Sequence, residues 1–256
     1  KAAGQNIWLA EGSAECGSLA IERCRPAAAL LSGGVQRDAA LRALRDHILR
    51  SGVEKGMTVY GFDFPFALPQ ALMGSEKWTD FVLTFGDRFD NPSEFRSWCR
   101  AHDRGHEQKR RTEREAQVPF SAYNLRLYRQ TYYGIRDLLA PLVRGGSVWV
   151  VPMQHPDRSR PWLMETCPAS ALKRLGLYMQ YKGKQSPRQR SREVIVSTLL
   201  ARADIRLSDR AHRRTMIEDA GGDALDSMIA AAIVLWNHSD PFPEDLIHPQ
   251  EGYVYR

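Results

Sequence analysis

Four acidic side chains stand where predicted strands or helices begin or end: Asp63, Glu165, Asp223 and Asp226. Functional groups of α/β proteins collect at such positions. Asp63 closes an otherwise apolar run, and a carboxylate there is costly to bury unless it is paired or binds a cation. Carboxylate oxygens are the hard ligands that Mg²⁺ and Mn²⁺ prefer. One hypothesis is therefore a metal-binding carboxylate cluster.

Each of these acids also has a purely structural interpretation. Asp63 could cap the next segment through backbone N–H groups. Glu165 precedes a predicted helix, whose dipole favours a negative charge at its start. Asp223 and Asp226 are three residues apart and so share one helix face, but aspartate is also a favoured N-cap and first-turn residue. No single acid decides between a metal site and a structural role.

The elements that must position these acids alternate between strands and helices. Short strands over 6–11 and 18–25, with glycines between them, predict a β-hairpin. Apolar periodicity predicts a helix over 36–50, and a buried strand is predicted over 57–64. The other predicted elements are strands over 148–153 and 161–166 and helices over 168–176 and 223–236. This order predicts an α/β fold with a mixed sheet.

Residues 70–145 contain aromatic-rich helical patterns and no clear strand. Because this block lacks a sheet of its own, we interpret it as a helical insertion rather than a separate domain. The sequence thus predicts a single domain over residues 1–256, which is long enough to bury a large core.

The net charge is +6, from 36 Lys plus Arg against 30 Asp plus Glu. A basic surface favours nucleic acid as a partner, although a soluble protein that happens to be basic has the same composition. The stretch 182–192 contains no acidic residue, and its candidate phosphate contacts are Lys182, Lys184, Arg188 and Arg190. Arg126 and Arg129 alternate with tyrosines over 123–133, which favours either stacking on unpaired bases or a helix with an aromatic core face.

Several other classes of protein are disfavoured. The sequence has no Walker loop, no GxGxxG and no GxSxG motif. Cys99, His102 and His106 have the spacing of zinc ligands but lack a convincing fourth ligand. The four cysteines are scattered, which is typical of reduced thiols, and the longest apolar stretch is too short to span a bilayer. We expect a soluble, cytoplasmic protein with no membrane partner, and the sequence leaves its oligomeric state open.

Several segments together resemble a known family. They are GFDFPFALP (61–69), VPFSAYNLRLYRQTYYGI (118–135), METCPASALKRLGL (164–177), YKG (181–183) and GGDALDSMIAA (221–231). The family consists of uncharacterised, predicted RNase H-like nucleases. The resemblance extends from about residue 5 to residue 236, and its most specific part is the DALD helix start combined with the aspartate at a strand end.

This resemblance implies an RNase H-like mixed five-stranded sheet flanked by helices. In that superfamily, acids from the first strand, the fourth strand and the last helix bind two divalent cations. Asp63 matches the fourth-strand acid, and Asp223 with Asp226 matches the last-helix acids, a placement similar to that of Holliday-junction resolvases. Glu165, at the end of the next parallel strand, is implied as a further ligand.

The chain departs from the family pattern at its start. The family's first strand carries an aspartate upstream of the position matched by Lys1, and only residues 1–5 precede the predicted hairpin. The resemblance therefore implies that the first strand and its acid are missing from this chain and that the native protein extends upstream.

The leading hypothesis is Mg²⁺- or Mn²⁺-dependent hydrolysis of phosphodiester bonds in nucleic acid. Asp63, Asp223, Asp226 and the first-strand acid would hold two ions about 4 Å apart. One alternative is a nucleic-acid-binding module without catalysis. Another is a metal-dependent enzyme that acts on a nucleotide or a similar phosphorylated small molecule.

Overall fold

A computed structural model of the protein describes residues 2–31, 34–54, 57–202, 204–239, 242 and 250–256. The chain divides into two compact units. Unit 1 comprises Lys1–Leu44 and Ala171–Ser239, and unit 2 comprises Arg45–Ser170 and Asp240–Arg256. Strands and helices occur in both units, so the predicted mixed α/β class is confirmed.

The predicted strands and helices are present in the predicted order, and the structure contains further elements as well. The strands are β1 (Trp8–Glu15), β2 (Ser18–Pro26), β3 (Val59–Phe62), β4 (Trp149–Val151), β5 (Trp162–Glu165) and β6 (Ile205–Leu207). The helices are α1 (Ala3–Asn6), α2 (Ala27–Leu30), α3 (Arg37–Glu54), α4 (Gln70–Met73), α5 (Trp78–Arg88), α6 (Pro92–His102), α7 (Arg111–Glu115), α8 (Tyr128–Tyr133), α9 (Ala140–Arg144), α10 (Pro168–Arg174), α11 (Ser186–Leu200), α12 (Arg210–Glu218) and α13 (Asp223–Asn237). A π-helical segment, Gly134–Leu139, joins α8 to α9.

Unit 1 is built on a three-stranded sheet in the order β1-β2-β6. The predicted hairpin forms between β1 and β2, which pair antiparallel with a bulge at Glu11/Gly12, and β6 joins β2 in parallel. Helix α13 packs on this hairpin. Its buried residues recur at helical spacing and include Ala224, Leu225, Met228, Ile229, Ala232 and Ile233. The helix start that carries the two aspartates is thereby anchored to the core of the unit.

Unit 2 contains a second three-stranded sheet, in the order β3-β5-β4, in which all pairings are parallel. Phe62 is in register with Glu165, so the carboxyl ends of β3 and β5 lie side by side. The C-terminal segment pairs with the chain just beyond the carboxyl end of β5, because Tyr255 forms a parallel bridge with Thr166.

The block 70–145 lies in unit 2 and is helical, from α4 to α9, with no strand among its residues, all of which the structure describes. Its tyrosines at positions 123, 128 and 132 are buried. Phe85, Phe89, Phe95 and Tyr132 pack against one another with ring centroids 5.2–6.2 Å apart. The aromatic-core interpretation of this segment is therefore confirmed.

The structure differs from the sequence prediction in its sheets and in elements that the sequence did not predict, such as β6 and α12. The described residues form two three-stranded sheets, and a single five-stranded sheet is not seen among them. The basic stretch 182–192 runs into helix α11, which the sequence did not predict. The buried face of α11 is short and consists of one arginine and three apolar residues: Arg192, Ile195, Val196 and Leu199. Within the described part of the chain, every helix is too short or too polar to cross a bilayer.

Candidate functional site

The start of helix α13 is capped by a residue outside the predicted pair. Asp219 accepts hydrogen bonds from the backbone N–H of Gly221 at 3.1 Å and of Ala224 at 2.9 Å. The N-cap position itself is Gly222, which has no side chain to offer. Asp219 therefore caps one free N–H of the first turn, that of Ala224. Asp223 and Asp226 are not the N-cap residue but do lie in the first turn, where the helix dipole favours a negative charge.

Asp223 and Asp226 instead share one cation. The Lys182 ammonium lies 2.5 Å from Asp226 Oδ2 and 3.2 Å from Asp223 Oδ1. The other oxygen of Asp226 accepts a hydrogen bond from the Tyr181 hydroxyl at 2.5 Å. We call these four residues the α13 cluster. All four belong to unit 1.

Exposure differs sharply within the α13 cluster. The Asp226 side chain is 9% exposed, whereas that of Asp223 is 40% exposed and that of Lys182 is 51% exposed. Burial raises the pKa of Asp226, and the Lys182 ammonium and the Tyr181 hydroxyl oppose that rise. The cluster thus joins a sheltered carboxylate to an open one, with the cation at the solvent side.

The backbone on either side of Lys182 is fixed. Arg192 is buried and donates to the carbonyl oxygens of Tyr181 at 2.5 Å, Gly183 at 3.0 Å and Ile217 at 2.7 Å. The Gly183 N–H donates to the Ala220 carbonyl at 2.7 Å. Hydrogen bonds thus hold the backbone on both sides of Lys182.

The turn before α13 requires glycine at position 222. Gly222 has φ +75°, in the left-handed region that favours glycine. A Cβ atom there would lie 2.9 Å from the Tyr181 ring. The close approach brings the Tyr181 hydroxyl to Asp226.

Asp63 follows β3 in unit 2, and its side chain is exposed. Gln130 Nε2 donates to its backbone carbonyl. Burial raises the pKa of the Cys167 thiol to about 12, and the Asp63 charge adds to that rise. Asp63 is therefore near enough to Cys167, two residues after β5, for its charge to act on the thiol. This proximity is expected for residues that follow adjacent parallel strands.

Glu165, at the end of β5, is buried in an ion pair with Arg110. Arg110 donates to both of its carboxylate oxygens, and the Phe66 N–H donates to Oε2 at 2.9 Å. Glu113 pairs with the same guanidinium at 3.0 Å. Burial alone lowers the pKa of Arg110, but Glu113 and Glu165 outweigh burial and the net shift is upward. We call Arg110, Glu113 and Glu165 the β5 cluster.

Most of the predicted phosphate contacts are accessible. Lys182, Lys184 and Arg190 are exposed, and Arg188 is half-buried because it donates to the Gln180 carbonyl at 3.2 Å. In unit 2, the exposed side chains of Arg126 and Arg129 lie over the rings of Phe120 and Tyr128, at 5.3 and 5.0 Å. Of the tyrosines considered for base stacking, those at positions 123, 128 and 132 are buried in the core, and Tyr133 is partly buried.

The α13 cluster suits a magnesium-type ion better than a zinc-type one. Among the residues that the structure describes, no group of three or more His, Cys, Asp or Glu side chains could hold a metal. Cys99, His102 and His106 therefore do not form a metal-binding group in the structure. Mg²⁺ commonly binds through one or two carboxylates and completes its shell with water and substrate phosphate. Two carboxylates that already share a cation fit that requirement.

The structure therefore brings together Asp223 and Asp226, and it places Asp63 and Glu165 at neighbouring strand ends of unit 2. Sequence reasoning missed the roles of Asp219, Arg192 and Arg110. Only Arg192 left a usable signal, since positions 192, 195, 196 and 199 have helical spacing.

Comparison with other proteins adds no relative. No protein-family model matches the chain, and neither the curated proteins nor the solved structures contain a significant match to it.

Proposed function

We propose that this protein is a divalent-metal-dependent nuclease that hydrolyses phosphodiester bonds in nucleic acid, with an RNase H-like arrangement of its strands and acids. The observation that carries the proposal is the α13 cluster. Two carboxylates that are not needed as helix caps hold a cation between them, at a position that is open to solvent on one side.

Asp223 and Asp226 would hold Mg²⁺ or Mn²⁺, and the bound ion would activate water and stabilise the leaving oxygen. Tyr181 orients Asp226 by donating to one of its oxygens, which leaves the other oxygen for the ion. The resemblance adds Asp63 as a further ligand, and this assignment stays a prediction. Glu165 is left out of the ligand set, because ligation would require it to leave Arg110.

We assign substrate binding to exposed basic side chains that follow Lys182 in the sequence. Lys184 and Arg190 offer charge to the phosphate backbone, which gives affinity without choice of base sequence. Each neutralised phosphate releases counterions, so affinity should fall steeply as salt is raised.

The test is cleavage of labelled single-stranded, duplex and four-way-junction nucleic acids in the presence of Mg²⁺ or Mn²⁺. Asp226→Asn and Asp63→Asn are each expected to reduce the rate by about a hundredfold or more, as for other groups that stabilise developing charge. Asp38→Asn is the matched control, because Asp38 is an exposed first-turn acid of α3. Cleavage that persists unchanged in Asp226→Asn would remove the α13 cluster from the mechanism.

The same assay separates the two alternatives. Nucleic-acid binding without metal and without cleavage of any substrate would favour a non-catalytic binding module. Turnover of a mononucleotide in preference to a polymer would favour a small-molecule phosphoesterase.

A further inference from the structure

We infer that Lys182 is a built-in placeholder for the metal ion, and that it must leave the two carboxylates before a divalent cation can bind. This inference rests on the proposed metal site and concerns how that site is regulated. Lys182 Nζ is 2.5 Å from Asp226 and 3.2 Å from Asp223, so it occupies the space between the oxygens that would ligate the ion.

An ammonium in this position competes with a metal in two ways. It fills the volume that the ion needs, and it contributes a positive charge a few ångströms from any ion that enters. At about 4 Å, repulsion between two cations near a protein surface exceeds the energy of a tenfold change in affinity. Metal binding with the lysine still in place is therefore strongly disfavoured.

Departure of Lys182 breaks its ion pairs and moves its ammonium away from the Tyr181 ring, 5.9 Å from the ring centroid, but it requires no change in the backbone. Its side chain is 51% exposed, so a path to water exists. Its backbone is held through Tyr181 and Gly183 by Arg192, and Gly183 is also bonded to Ala220. Rotation of the flexible lysine stem is enough to vacate the site, whereas the carboxylates and the loop stay where they are.

The placeholder has a clear benefit for the protein. Asp226 is buried, and a buried carboxylate without a cation is costly. Lys182 supplies that cation when no metal is present. Once displaced, its charge remains beside the site and is free to meet a phosphate of the substrate.

The experiment is calorimetric titration of Mn²⁺ alone into four forms of the full chain: wild type, Lys182→Met, Lys184→Met and Asp226→Asn. Lys182→Met is expected to bind Mn²⁺ at least tenfold more tightly than the wild type. Lys184→Met removes the same charge from an exposed neighbour and is expected to change the affinity by less than about threefold. Asp226→Asn is expected to show no saturable binding. Circular dichroism confirms that each variant is folded.

A second measurement uses the wild type and does not depend on how any variant folds. Acetylation of lysines by an N-hydroxysuccinimide ester, followed by peptide mass spectrometry, reports how accessible each amine is. Saturating Mn²⁺ is expected to raise the labelling rate of Lys182 severalfold and to leave Lys184 unchanged.

The outcomes are distinguishable. The placeholder role would be wrong if wild type and Lys182→Met bound Mn²⁺ with equal affinity, or if Mn²⁺ did not change the labelling rate of Lys182. Either result would still be compatible with the proposed metal site. Absence of saturable binding in both wild type and Lys182→Met would overturn the placeholder and the proposed metal site together.

Discussion

The α13 cluster and the β5 cluster contain the same ingredients, two carboxylates and one cation, in opposite surroundings. In the β5 cluster, Arg110, Glu113 and Glu165 are all buried. In the α13 cluster, Lys182 and Asp223 are about half exposed and only Asp226 is sheltered. Accessibility of the cation is thus the main difference between them.

This difference separates a structural ion pair from an exchangeable one. Arg110 presents a rigid fork of donors and uses it on Glu113, Glu165 and the backbone carbonyl of Glu251. It thereby ties the C-terminal segment to the end of β5, and no other cation could replace it without loss of these bonds. The Lys182 ammonium is a point charge on a flexible stem, and under our proposal a metal ion would replace it.

The largest effect is expected from removal of the buried cation. Arg110→Met leaves Glu113 and Glu165 without their partner, and a broken buried ion pair typically costs about 3–5 kcal/mol. Urea unfolding at neutral pH measures the loss. Arg111→Met is the control, because its pair with Glu115 is exposed and worth about 1 kcal/mol or less. A loss below about 1 kcal/mol for Arg110→Met would remove the contrast between the clusters.

A smaller loss is expected when Glu165 is made neutral but keeps its shape. Glu165→Gln retains the hydrogen bond from the Phe66 N–H and weakens the charge-assisted bonds from Arg110, which are worth about 1.5–3 kcal/mol. The same unfolding assay applies. If Glu165→Gln were as stable as the wild type but lost Mn²⁺ binding, Glu165 would have to be restored as a metal ligand.

The turn at Gly222 allows a paired test. Gly222 and Gly176 both have positive φ, +75° and +70°, so alanine strains the backbone by a similar amount, about 1 kcal/mol. Only at position 222 does the new Cβ atom meet the Tyr181 ring. Gly222→Ala is therefore expected to lose more stability than Gly176→Ala and also to weaken Mn²⁺ binding. Equal behaviour of the two variants would mean that the Tyr181 contact is unimportant.

The smallest effect is expected from Asp226→Asn, and it has the opposite sign. Burial raises the folded-state pKa of Asp226 above its unfolded value of about 4. The ionised carboxylate therefore costs stability above the folded pKa, and this cost disappears as the pH falls to the unfolded value. Asp226→Asn should be slightly more stable than the wild type at pH 7.5, with the gain shrinking towards pH 4. Destabilisation at pH 7.5 would show that the Lys182 pair outweighs burial.

The sequence predicted local features of the fold and the site well. The apolar run over 57–64 and the apolar face of 223–236 predict β3 and α13, because each signal is contained within one element. The same holds for the pair Asp223 and Asp226, whose spacing places them on one helix turn. The hairpin was also predicted from its glycines and flanking strands.

Contacts between distant residues could not be predicted. Arg110 lies in a charged stretch that is typical of a solvated surface, and its partner Glu165 is 55 positions away. The capping role of Asp219 was not predicted, because Asp223 and Asp226 are closer to the start of the helix and are the residues that capping preferences favour. Such choices depend on which groups the fold brings together and deprives of water, and a single sequence does not contain that information locally.

Arg192 gives the loop at residues 181–183 a thermodynamic property that the loop's own residues lack. Its guanidinium joins the carbonyls of Tyr181 and Gly183 to that of Ile217, in the last turns of α12. Opening the loop thus breaks bonds shared with the α11–α12 helix pair, so the three segments should exchange their amide hydrogens as one cooperative unit. The entropy of ordering the loop is then lost during folding rather than during ligand binding. Mn²⁺ affinity at Asp226 would consequently track the stability of a helix pair that contributes none of the proposed metal ligands.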